Sequence, residues 1–189
     1  MSKPDLVLVD GSSFLYRAFH AMPGLANASG QPTGAIHGIL AMLDRLRRDY
    51  PSELFAVVFD PRGPTHRDEW FADYKATRAS MPEELVAQVP LINEIIDAQG
   101  MPRLELKGAE ADDVIGTLAR RAAAQGHEVI ICTGDKDLAQ LVNDRIRLVN
   151  TMDKENSEMD EAGVKAKFGV SPAQIIDYLT LVGDTSDNI

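Results

Sequence analysis

Three short apolar runs, LVLV at 6–9, FAVVF at 55–59 and EVIICT at 128–133, constrain this chain more than any other feature. They are rich in Val and Ile and apolar at consecutive rather than alternate positions. That pattern suits strands buried on both faces, as in a parallel sheet covered by helices on each side. A fourth run, RIRLVN at 145–150, and a more polar one, PRLEL at 102–106, extend the series. Helical patterns lie between the runs. In GAIHGILAMLDRLRRDY at 34–50, residues Ile36, Ile39, Leu40, Leu43 and Leu46 share one helix face. The segment 82–100 opens with Pro-Glu-Glu and closes on Gly100, which are start and stop signals for a single helix. A further helix is predicted from Ala111 to Ala124, ahead of Gly126. Strands alternating with helices of this length predict an α/β fold, with a mainly parallel central sheet flanked by helices and right-handed crossovers. Residues 11–33, 61–81 and 151–158 read as irregular.

Acidic residues fall where such a sheet binds its ligands. Asp10 and Asp60 end the first two runs, and Gly134-Asp135-Lys136-Asp137 follows the third directly. The carboxyl ends of parallel strands share one edge, and ligands bind there. Helices that follow strands begin at the same edge, which adds Glu110, Asp112 and Asp113. The stretch GDTSDNI at 183–189 adds Asp184 and Asp187. A single acid at a helix start is ordinarily a cap or a dipole partner. Nine carboxylates at one edge are not explained that way. Oxygen ligands without His or Cys select hard ions, so Mg²⁺ or Mn²⁺ is expected, and this many carboxylates implies two or more ions. A pair of ions about 4 Å apart suits in-line displacement at phosphorus, the hydrolysis of a phosphate ester. Cations must sit opposite the cluster Glu110, Asp112 and Asp113 to make it tolerable.

The stretch RGPTHRDEWFADYKATRASMP at 62–82 supplies candidates. The spacing of Arg67, Phe71, Lys75 and Arg78 predicts one face of a helix, with Trp70 and Tyr74 beside it. Basic residues interleaved with aromatics suit single-stranded nucleic acid, where cations hold phosphates and rings stack on bases. The other reading is an amphipathic helix with core aromatics and a solvated charged face. The position directly after Asp60 favours contact with substrate. Gly11-Ser12-Ser13 offers backbone N–H groups to a phosphate but lacks the glycine-lysine pattern of a P-loop. Arg17 either holds a phosphate or pairs with an acid.

Composition narrows the setting. A net charge of −10 by itself argues against nucleic acid. If the acids converge on bound divalent cations, however, the rest of the surface is near neutral. Cys132 is the sole cysteine, so no intramolecular disulfide can form, in keeping with a reducing, cytoplasmic setting. His20, His37, His66 and His127 lack metal-ligand spacing, which disfavours zinc. No run approaches the roughly 18 apolar residues of a membrane span, and the N-terminus has no signal-peptide pattern, so no membrane partner is expected.

The motifs LVLVDGSSFLYRAFHA, AVVFD, FADYKATR, GAEADDVIGTLA, CTGDKDLAQLV and LVGDTSDNI together resemble the 5′-nuclease domain of the bacterial DNA polymerase I family, related to the flap endonucleases. They run in the family's order along essentially the whole chain. The resemblance implies a PIN-like (resolvase-like) fold with a helical arch, about 62–82, over the active site. It implies a 5′→3′ exonuclease or 5′-flap endonuclease acting on DNA with a 5′ flap, nick or RNA primer, in primer removal and repair. A cytoplasmic (nucleoid) monomer, naturally fused to a polymerase domain, is the implied setting. By this resemblance Asp10, Asp60, Glu110, Asp112, Asp113, Asp135, Asp137, Asp184 and Asp187 correspond to the metal ligands and the acids that support them. Arg67, Tyr74, Lys75 and Arg78 correspond to arch residues that engage the 5′ strand, Lys75 and Arg78 also offsetting charge on the scissile phosphate. His66 and Ala79-Ser80 stand where the family more often has Phe and Pro-Pro. Family members continue beyond the position of Ile189 into a helix–turn–helix segment that grips duplex DNA through a potassium ion. The chain is therefore expected to be a fragment lacking that segment and the polymerase domain. Two rival readings are a module that holds metal and DNA without turnover and a haloacid-dehalogenase-like phosphatase. The second needs another Asp two residues after Asp10, where this chain has Ser12.

Overall fold

A computed structural model describes residues 3–150, 157–184 and 187–188. The five apolar runs form parallel strands: β1 (Leu6–Asp10), β2 (Leu54–Phe59), β3 (Arg103–Glu105), β4 (Val129–Cys132) and β5 (Ile146–Asn150). A sixth, β6 (Ser157–Met159), pairs antiparallel with β5, giving the order β3-β2-β1-β4-β5-β6. The helices are α1 (Gly11–Ala21), α2 (Gly34–Asp49), α3 (His66–Trp70), α4 (Glu83–Val86), α5 (Val89–Ala98), α6 (Ala111–Ala124), α7 (Glu161–Phe168) and α8 (Ile175–Val182).

Successive strand residues point to opposite faces, and each face has its own core. Val7, Val9, Val57, Ile130 and Cys132 pack with Phe14 and Leu15 of α1 and with Ile39 and Leu43 of α2. Leu8, Val58, Val129, Ile131 and Ile146 pack on the other face with Ile115 and Ala119 of α6, Val164 and Ile175. Both faces are thus covered, which is why the central strands tolerate no alternation with polar residues. The Cys132 thiol is fully enclosed, and burial pushes its pKa up. Two glycines set the spacing between layers. A Cβ on Gly38 would lie 2.8 Å from the Ala18 Cβ, where α1 crosses α2. A Cβ on Gly11 would lie 2.7 Å from the Phe59 ring, so the chain can turn from β1 straight into α1 beneath the end of β2.

Four expectations need correction. Residues 11–21 are helical, not irregular: Asp10 caps α1 by accepting from Ser13 N at 2.9 Å, and Phe14, Leu15 and Ala18 are buried. The polar Gly-Ser-Ser start conceals this spacing in the sequence. The segment 82–100 is two helices, broken at Ala87-Gln88. Gln88 is 2% exposed. Its Oε1 accepts from Ala35 N at 2.9 Å and Ile36 N at 3.2 Å, while its Nε2 donates to the Glu84 carbonyl at 2.9 Å. One side chain therefore satisfies the open start of α2 and ties it to α4. Pro90, in the first turn of α5, starts that helix instead of interrupting a longer one. Within 151–158, residues 151–156 lie outside the described residues, whereas Ser157 and Glu158 belong to β6, held by ladder bonds to β5. The fourth correction, to 61–81, belongs to the site. Among the described residues no helix is long and apolar enough to cross a membrane.

Candidate active site

Parallel pairing places the ends of β1, β2 and β4 at one edge, and α6 begins there too. A cleft of about 510 Å³ opens at that edge. Asp10, Asp60, Glu110, Asp112, Asp135, Asp184 and Asp187 line it. Asp137 and Asp113 line an adjoining opening on the far side of Glu110. All nine carboxylates predicted for the edge are thus at the edge, in two adjoining groups.

Hydrogen bonds hold these side chains in place. Asp10, 5% exposed, accepts from Thr133 Oγ1 at 2.9 Å as well as from Ser13 N. Thr133 Oγ1 in turn accepts from Asp135 N at 2.9 Å, so one hydroxyl joins the end of β1 to the turn after β4. Asp135 Oδ1 accepts from Asp137 N at 2.8 Å. Asp60 N donates to Ser12 Oγ at 2.9 Å, and Asp60 Oδ1 accepts from Ala111 N at 2.8 Å, tying the end of β2 to the start of α6. Ser12, considered above as part of a phosphate cradle, is thus a strut, and Thr133 was not singled out at all. A hydroxyl directly after a buried strand and before an Asp was the available signal.

The cations opposite the α6 acids come from 61–81, but not from one helix. The stripe Arg67, Phe71, Lys75, Arg78 is interrupted after Trp70, where α3 ends; Phe71 is extended, and Lys75 adopts a left-handed φ of 54°. Two contacts with the 187–188 segment hold this path: Lys75 N donates to the Asp187 carbonyl at 3.2 Å, and Asn188 Nδ2 to the Asp73 carbonyl at 3.0 Å. The expected helical arch is therefore one short helix followed by turns. Its charges nonetheless reach the edge. Arg67 grips Asp113 through two bonds of 2.6 and 2.8 Å. Lys75 Nζ donates to both oxygens of Glu110, at 2.9 and 3.0 Å. Tyr74 donates to Glu110 Oε2 at 3.0 Å, and Arg78 reaches Asp187 Oδ1 at 3.3 Å. Lys136, not singled out from the sequence, lies 3.3 Å from Asp184. Arg17 lies on α1, half-buried, outside the lining of the cleft.

Among the described residues, Asp113 and the acids without a cation against them shift in opposite directions. Arg67 holds the Asp113 carboxyl below the ordinary carboxylate range, and the same pair raises the Arg67 pKa. Burial, then the charges of Asp10, Asp135 and Asp60, push Asp112 up to about 8. Burial also raises Asp10 to about 6, and burial with Asp135 and Asp184 raises Asp137 to about 6. Asp137 Oδ1 is buried without a hydrogen-bond partner. One carboxylate oxygen from each of Asp137, Asp184 and Asp187 lies within 4.8 Å of the others. A partnerless buried oxygen among carboxylates with raised pKa values has the chemistry that suits a hard divalent cation. These residues fit one.

Comparison with known proteins agrees with this geometry. The chain is 59% identical over all 189 residues to DNA polymerase I of Pseudomonas aeruginosa, of which it covers 20%. It is 45% identical over 184 residues to a 5′-3′ exonuclease of Aquifex aeolicus, covering 97% of this chain and 63% of that one. The chain thus spans a fifth of the polymerase and less than two thirds of the exonuclease. Its backbone matches the bacteriophage T5 flap endonuclease, solved as a pseudo-enzyme–product complex with DNA and metal ions, with a TM-score of 0.75. That match is 20% identical and covers 97% of this chain and 68% of the phage protein. At that identity the phage structure speaks for the fold alone. The sequence profile of the 5′-3′ exonuclease N-terminal resolvase-like domain fits residues 5–169, so the chain belongs to the 5′-3′ exonuclease N-terminal resolvase-like domain family.

Proposed function

We propose that this domain hydrolyses DNA phosphodiesters with divalent metal ions, as a 5′→3′ exonuclease or 5′-flap endonuclease. The observation that carries the reading is the partnerless buried Oδ1 of Asp137, beside Asp184 and Asp187. These three would hold one ion; Asp10, Asp112 and Asp135, with Asp60 and Glu110 alongside, would hold another. Mg²⁺ and Mn²⁺ fit an all-oxygen set best. Ions held there supply positive charge for activating water and for offsetting the leaving oxygen. The chain's own residues do the positioning. Thr133 and Ser13 N aim Asp10, and Asp113, engaged by Arg67, anchors the 61–81 segment over the edge. Lys75 and Arg78 orient and neutralise the scissile phosphate, exchanging carboxylate partners for it. Relatives named DNA polymerase I support DNA as substrate and a place within a longer polymerase; RNA primers and a cytoplasmic setting are part of the same reading. The direct test is cleavage of an end-labelled 5′-flap duplex in magnesium, manganese or chelator. Metal-dependent release of the flap is expected; binding without cleavage in either metal would leave a non-catalytic module.

Salt dependence tests the cations separately. Each neutralised single-strand phosphate contributes about −0.7 to the slope of log affinity against log salt. Lys75→Ala/Arg78→Ala should therefore flatten that slope by about 1.4 in flap binding measured with calcium in place of magnesium. A slope equal to wild type would make these side chains structural partners of Glu110 and Asp187 only.

A further inference from the structure

Trp70, the sole tryptophan of the chain, keeps 78% of its surface in water. Large aromatic side chains ordinarily serve cores and interfaces. Trp70 serves no core here, since α3 buries none of its residues. The indole is nevertheless held: the His66 ring meets it edge to face, with centroids 4.6 Å apart and planes at 69°. Phe71 beside it is 43% exposed. Arg67, Trp70, Phe71, Tyr74 and Asp187 border an apolar space of about 450 Å³. Asp187 also lines the acidic cleft, so the two openings share a wall.

We propose that Trp70 and Phe71 form a stacking platform for the unpaired bases of the strand whose phosphodiester enters the acidic cleft. The proposal rests on the nuclease reading above and assigns where the bases go. Charge selects bases over phosphates at this spot. Glu69 and Asp73, both exposed, flank the rings in the chain and repel a phosphate placed over them. The Arg67 guanidinium, fixed by Asp113, adds a flat cationic surface next to the rings. Lys75 and Arg78 meet the phosphates on the cleft side. A strand crossing the shared wall at Asp187 thus finds cations for its backbone and ring faces for its bases. Such stacking accepts any base, so the platform adds affinity for single strands without reading sequence.

The test compares two duplexes that differ only in the flap: one with a thymidine 5′ flap, the other with abasic residues in its place. Both keep every phosphate. With calcium present, the thymidine flap should quench wild-type tryptophan emission, and the abasic flap should leave it nearly unchanged. By anisotropy of labelled DNA, Trp70→Ala should bind the thymidine flap about 5- to 150-fold more weakly and the abasic flap as wild type does. Trp70→Phe should restore most of the loss, since a ring remains. Equal quenching by both flaps, or equal losses on both in Trp70→Ala, would overturn the platform. So would a blue shift of the emission with protein concentration in the absence of DNA, which would assign the rings to a second copy of the chain. Flap cleavage by wild type with no base dependence rejects the platform and leaves the nuclease standing. Absence of both binding and cleavage rejects both.

Discussion

Asp10→Asn should lower flap cleavage by well over the 10–100-fold, roughly, that follows loss of a residue that only orients a ligand. It should do so without harming the fold. Asn caps a helix about as well as Asp, so acceptance from Ser13 N can persist. The new amide can donate to Thr133 Oγ1, which now donates to Asp10. What is lost is a negative charge in a buried place. Burial raises the folded-state pKa of Asp10 from the ordinary 3.8 to about 6, so ionised Asp10 destabilises the metal-free fold. That cost is absent below about pH 4, grows as pH rises to about 6, and remains above it. Urea unfolding of the chelated proteins at pH 8 should therefore find the variant more stable by about 1–3 kcal/mol, a difference that vanishes near pH 4. Cleavage close to wild type would remove Asp10 from the metal site. An equal loss of stability at both pH values would make it a structural cap alone.

The metal-free protein should lose stability on the alkaline side of pH 4, and divalent ions should restore it. Asp112, Asp10 and Asp137 all titrate above their ordinary 3.8 in the folded state, at about 8, 6 and 6. A raised carboxyl pKa means that the folded state binds more protons than the unfolded one, so stability falls as pH rises through that interval. The combined loss between pH 4 and pH 8 is on the order of a few kcal/mol, with partly exposed Asp137 contributing least. Asp113 and Asp68 act in the opposite sense, since their lowered values remove stability only as pH falls below 3.8. The chelated protein should accordingly melt highest near pH 4–5. Magnesium or manganese at about 100 times its dissociation constant should return about 2.7 kcal/mol per site at pH 8. Asp112→Asn should show a flatter pH profile and a smaller metal response. A melting temperature that is flat from pH 5 to 8 in chelator, or indifferent to metal, would contradict the reading of these acids.

The parts legible in the sequence were those set by local pattern. Both faces of β1, β2 and β4 are covered, so these strands had to be apolar throughout, and their ends could be located to within a residue or two. The acids followed from that, because an Asp after a parallel strand can only lie at one edge. The illegible parts depend on partners distant in sequence. Gln88 looks like one more polar residue inside a helix; its partners Ala35 and Ile36 are 53 and 52 residues away. The arch spacing suggested a helix because Arg67, Phe71, Lys75 and Arg78 fit its period, but bonds to Asp187 and Asn188 impose another path. Thr133 escaped notice for a simpler reason. A threonine ending a strand is common, and only the approach of Asp10 from the neighbouring strand gives this one its task.

The pairing of Lys75 with Glu110 has a consequence for how ligands meet here. Glu110 occupies the ammonium much as a phosphate would, so Lys75 cannot serve both at once. If the proposed metal site includes Glu110, an ion taking over its charge would free Lys75 for a backbone phosphate, and a phosphate drawing Lys75 away would leave Glu110 open to the ion. Each ligand would thereby prepare the place of the other, and linkage requires the mutual enhancement to be the same factor whichever arrives first.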